Sequence, residues 1–86
     1  MPEISRFFGI IVAMFYNDHD PPHFHVRYGS HRARFRIDDL QMLDGDLGPK
    51  ARGLVLEWAD IHRAELQREW ELVRTRQPLF RIPPLE

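Results

Sequence analysis

The sequence predicts an α+β fold: an antiparallel meander of three to four strands packed on one long C-terminal helix, straight or bent, with an extended proline-rich tail. Three observations carry that expectation. FFGIIVAMFY, residues 7–16, is dense in β-branched and aromatic residues and apolar on both parities. HFHVRY and HRARFR alternate around a two-residue Gly29-Ser30 link. From Ala51 to Val73 the apolar residues recur three and four positions apart. With 86 residues, one domain over 1–86 is expected, with no room for a second core.

In chain order, residues 7–16 read as a central strand covered on both faces, or one bordering a second chain. NDHDPP follows as a loop, since Asn and Asp favour turns and proline cannot donate to a ladder. Asp20-Pro21 and Pro21-Pro22 can each adopt a cis bond, with trans the expected isomer. Residues 23–28 and 31–37 form a hairpin on a type II′ turn led by Gly29. That turn sets Tyr28 opposite His31, Arg27 opposite Arg32, Val26 opposite Ala33, His25 opposite Arg34, Phe24 opposite Phe35 and His23 opposite Arg36. Phe24, Val26, Tyr28, Ala33, Phe35 and Ile37 then share one face. His23, His25, Arg27, Arg32, Arg34 and Arg36 share the other.

A short strand at 40–43 and a turn at Asp44-Gly45 lead to Gly48 as helix cap and Pro49 in the first helical position. The apolar stripe Ala51, Val55, Trp58, Leu66, Trp70, Val73, with His62 upon it, predicts a helix over 49–76. Such a helix would be ~42 Å long against strands of ~20–27 Å. It must break or bend near residues 60–63 or outrun its sheet, and continuity is favoured because no Gly or Pro interrupts 54–77. The tail, 77–86, carries three prolines and should run extended and dock. Phe24, Val26, Phe35 and Ile37 are expected to pack on Val55, Trp58 and Leu66.

Composition narrows the function classes. There is no cysteine, which excludes disulfides and thiolate metal sites. The N-terminal apolar run is far short of the ~20 residues of a membrane span, Glu3 sits in the segment before it where a signal peptide is positive, and no signal-cleavage pattern follows. A soluble cytoplasmic protein without a membrane partner is the expectation. Net charge is −1, but residues 1–37 hold five arginines against three acids, whereas 38–86 hold seven basic residues against ten acids.

SRFFGI, PPHFHVRYG, LDGDL, the helix LVLEWADIHRAELQREWE and the closing PLFRIPPL together resemble the small bacterial proteins of domain of unknown function 4160, over nearly the whole chain. Gly48, between GDL and Pro49, departs from that pattern and bears on the helix cap alone. The resemblance brings no catalytic residues with it. It implies a genomic neighbour, unknown-function family 2442, in pairs proposed to be toxin–antitoxin-like.

The basic hairpin face is the leading candidate site. Arginine forks suit phosphate, and like charges facing across a ladder cost ~0.2–1 kcal/mol that an anion would relieve. His23, His25, Arg27, Arg32, Arg34 and Arg36 are therefore candidates for nucleic-acid or anion binding, unless Asp38, Asp39, Asp44 or helix acids neutralise them. A small metal-independent nuclease is the enzymatic alternative, with His23 or His25 as general base and Arg34 on the phosphate. A third reading gives the face to an acidic protein partner. Binding is favoured over catalysis. No cofactor is expected. A metal reading rests on His19, His23 and His25, with a loop carboxylate available from Asp18 or Asp20, at permissive rather than diagnostic spacing. Against it stand the positive charge of Arg34 and Arg36 opposite and the lack of a visible second shell. The apolar tail, the overlong helix and the two-sided first strand point to a homo-oligomer or a small protein partner.

Overall fold

A computed structural model describes residues 2–86. Five strands, β1 (Glu3–Phe7), β2 (Ile10–Ala13), β3 (His23–Tyr28), β4 (His31–Arg36) and β5 (Met42–Asp46), form one antiparallel sheet in chain order. Two helices follow, α1 (Pro49–Ile61) and α2 (Arg63–Arg74). Among the described residues no helix is long and apolar enough to cross a membrane.

The hairpin register is the expected one at all six positions, from Tyr28 opposite His31 to His23 opposite Arg36. Gly29 leads the turn at φ 60°, as a II′ turn requires. Phe24 stacks on Phe35 with ring centroids 5.6 Å apart, and Trp58 meets Phe24 edge-on at 6.2 Å. Ile37, Val26, Val55 and Leu66 complete this part of the core, all essentially inaccessible to solvent.

Four expectations are corrected. The single strand over 7–16 is the second arm of another hairpin. Phe8 and Gly9 both take positive φ, 49° and 79°, the signature of a type I′ turn. A phenylalanine in the left-handed region hides that turn from a composition reading, and its exposed ring is the cost. The strand placed at 40–43 lies at Met42–Asp46, and Asp44-Gly45 belongs to it rather than to a turn. Gly45, at φ 91°, approaches β4 so closely that a Cβ there would sit 2.1 Å from the Arg32 carbonyl oxygen. The sheet therefore has five strands, not three to four.

The third correction is the helix, which breaks at His62 (φ −109°, ψ 25°) instead of running through to residue 76. Hydrogen bonds persist on either side, His62 N–H to the Trp58 carbonyl and Leu66 N–H to the His62 carbonyl. An unbroken helix of ~42 Å would outrun the described chain, which spans 34 Å along its longest axis. His62 Nδ1 meets the Glu65 carboxylate at 2.7 Å, so Glu65 serves the break. The Asp20-Pro21 bond, expected trans, is cis.

Residues 77–86 run without helix or strand and dock as expected. Ile82 N–H donates to the Ile4 carbonyl, Ser5 Oγ donates to the Ile82 carbonyl, and Trp58 Nε1 donates to the Pro83 carbonyl. Phe80 N–H caps Glu69, whose buried carboxyl is raised above the ordinary carboxylate range by burial. The tail so covers the free edge of β1. The apolar tail docks within the chain, whereas β2 keeps half-buried Ile11 on the uncovered face of the sheet.

Candidate functional site

The helices cover one face of the sheet; the other is open except at the start of β3, where His23 packs beside Trp70 of α2. Antiparallel pairing arranges that open face in rows running across the strands. One row is Ala13, His25, Arg34 and Asp44, and the next is Ile11, Arg27, Arg32 and Asp46. With Phe15, all of these but Asp46 line a groove of about 510 Å³. Alternation of side chains along β2, β3 and β4 puts these residues together, and the buried hydrophobic face fixes the alternation.

The six basic candidates do not share one environment. Arg34 is held by Asp44, Nε at 3.1 and 3.0 Å from the two carboxylate oxygens and Nη2 at 2.6 Å. The bond to Arg34 pulls the Asp44 carboxyl below its ordinary value, and the same bond raises the guanidinium. Arg36 is held likewise by Asp39 at 2.9 and 2.8 Å, with Gln41 Oε1 at 3.2 Å. Arg36, then the Gln41 N–H, lower Asp39 to about 2. Arg27 and Arg32 face one another across the ladder, exposed, and neither makes an ion pair or side-chain hydrogen bond among the described residues. Asp46, opposite Arg32, turns its carboxylate to the Gly48 N–H at 3.0 Å.

The histidines divide too. His19 stays exposed in the loop. His25 Nε2 donates to Asp18 Oδ2 at 2.8 Å, and the edge of its ring meets Phe15 at a centroid distance of 4.5 Å. His23 is only 2 % exposed, packed beside Trp70, with Nδ1 2.7 Å from the Pro21 carbonyl oxygen and Nε2 3.4 Å from Asp18 Oδ2. The structure thus brings His23, His25 and Asp18 together and leaves His19 out.

For the nuclease reading, His25 has an orienting carboxylate in Asp18, while Arg34, its ladder partner, is committed to Asp44. Sequence reasoning missed the apolar floor, Ile11, Ala13 and Phe15, because it placed them in a core strand. It named Asp44 only as one of several acids able to neutralise the face. The D-G pair read as a turn hid the strand that delivers it.

Among known proteins, a family model described as Domain of unknown function (DUF4160) matches residues 9–71, well over half of the chain. The matched span holds the whole groove and the histidine cluster. No curated protein and no solved structure matches.

Proposed function

Because the chain belongs to the family Domain of unknown function (DUF4160), whose description assigns no activity, we propose from the geometry that it is a binding module whose open sheet face takes the phosphate backbone of a nucleic acid. One observation carries this reading: Arg27 and Arg32 stand side by side, exposed and without an acidic partner, at a groove floored by Ile11, Ala13 and Phe15. Two guanidinium groups facing one another repel. A phosphate bridging them removes the repulsion and gains charge-assisted hydrogen bonds. Phe15, at the His25 end of the same groove, offers an apolar surface for the sugar or base. Arg34 and Arg36, with their forks occupied, would set the edge of the site rather than its grip.

The resemblance to toxin–antitoxin-like pairs gives the same face a second occupant, an acidic surface of a small partner protein. The test is anisotropy of labelled single- and double-stranded RNA and DNA at two salt concentrations. Micromolar binding that falls steeply with salt, and is lost in Arg27→Ala/Arg32→Ala but largely kept in Arg34→Ala, is expected. Absence of binding at low salt, or equal binding by the double variant, overturns the reading in favour of the protein partner. Strand cleavage lost in His25→Ala would instead make the domain a nuclease.

A further inference from the structure

We propose that Asp18, His23 and His25 form a binding site for a divalent first-row transition ion of the zinc type. The inference is independent of the phosphate reading.

The argument begins with the protons. The Pro21 carbonyl can only accept, so the 2.7 Å contact fixes the hydrogen of His23 on Nδ1. With the ring neutral, as metal ligation requires, Nε2 presents a lone pair. That atom is buried and has no hydrogen-bond partner, yet it faces Asp18 Oδ2, another acceptor, at 3.4 Å. A buried, unpartnered nitrogen lone pair aimed at a carboxylate oxygen leaves a position that a cation completes. His25 presents its own Nε2 to the same carboxylate oxygen. Ligand atoms of all three residues lie within 4.8 Å of one another.

The geometry suits a small ion. Bonds of ~2.0–2.1 Å in a tetrahedral site put neighbouring ligand atoms ~3.4 Å apart. The Asp18–His23 separation is already 3.4 Å, and the Asp18–His25 separation of 2.8 Å needs to open modestly. Metal binding replaces the hydrogen on His25 Nε2, which moves to Nδ1 of the same ring, so neutral imidazole is kept. Two imidazoles and one carboxylate are a zinc-type donor set, with a fourth position left for water.

The two objections visible in the sequence fall away. Pro21 supplies the second shell: a backbone carbonyl that fixes the tautomer of the ligating ring. Arg34 and Arg36, which would oppose a dication, are neutralised by Asp44 and Asp39. His62, paired with Glu65 at the helix break, takes no part in the cluster.

The experiment uses the untagged full chain, stripped with chelator, titrated with Zn²⁺ by calorimetry and with Co²⁺ by visible absorption. One ion per chain is expected, with the intense visible bands of four- or five-coordinate cobalt. Asp18→Asn and His25→Ala, both at partly exposed residues, should each weaken affinity by ~100-fold or more, beyond the ~10–100-fold of outer-shell changes. His62→Ala should bind as the parent does. No saturable binding at one equivalent, or equal affinity in Asp18→Asn, overturns the proposal. His23→Ala is not needed, since its burial makes misfolding a trivial explanation.

Discussion

The two ends of the β3–β4 hairpin carry the same kinds of side chain and end in opposite electrostatic states. At the end nearer the loop, both arginines and His25 have an acidic counterpart: Arg36 with Asp39, Arg34 with Asp44, His25 with Asp18. At the turn end, Arg27 and Arg32 face one another with no acid engaged. The difference lies not in the hairpin but in what is laid beside it. β5 and the β4–β5 connection deliver acids to one end, while Asp46 at the other is drawn away to the Gly48 N–H. Counting arginines on a strand face therefore overstates the cation available for a ligand.

The largest perturbation of that contrast would detach β5. Gly45→Ala places a methyl group against the Arg32 carbonyl in a backbone conformation that L-residues avoid. A loss on the order of 3 kcal/mol is expected in urea unfolding. A midpoint within experimental error of the parent would show that β5 can shift aside freely.

A milder change sharpens the contrast instead. Asp44→Asn releases Arg34 and removes a negative charge from the groove. RNA affinity should rise roughly 10-fold at low salt, and the log–log salt slope should steepen by about 0.7–0.9, the increment of one more phosphate contact. The pair is half-exposed, so stability should fall by less than about 1 kcal/mol. An unchanged slope would mean that Arg34 never reaches the ligand.

The smallest effect concerns the opposite kind of acid, one buried on the covered side without a cation. Asp44 is lowered by Arg34, whereas Glu69 is raised by burial, its Oε2 unpartnered. The folded state thus keeps the Glu69 proton at pH values where the unfolded chain has lost it. Stability falls as pH rises from the ordinary value of 4.5 through the folded value, and the penalty is constant above. Glu69→Gln should raise stability at pH 7.5 by on the order of 1 kcal/mol, because a neutral amide costs less to bury. The gain should vanish below pH 4.5. Thermal unfolding across that range measures it, and an equal gain at every pH would place the cause in packing.

How much was legible follows from the range of each interaction. The β3–β4 register, the division of its faces and the apolar stripe through Ala51, Val55, Trp58, Leu66, Trp70 and Val73 were written locally, in a two-residue turn and in side-chain period. The break at His62 was not, because the stripe continues without a phase change from Trp58 to Leu66. The Phe8-Gly9 turn was illegible because the conformation of Phe8 is imposed by pairing of β1 with β2. Asp18 was visible as a loop carboxylate beside the histidines, but not as the atom between two of them.

The sequence by itself determined which side chains share a surface, since periodicity and turn chemistry act over a few residues. Tertiary structure alone decided which of those side chains are engaged. The partner of Arg34 lies ten residues away, and that of Trp58 Nε1 lies twenty-five away on the tail. Such choices follow from how strands and tail close upon one another, where burial of the apolar face sets the geometry and the charged groups take the partners it brings within reach.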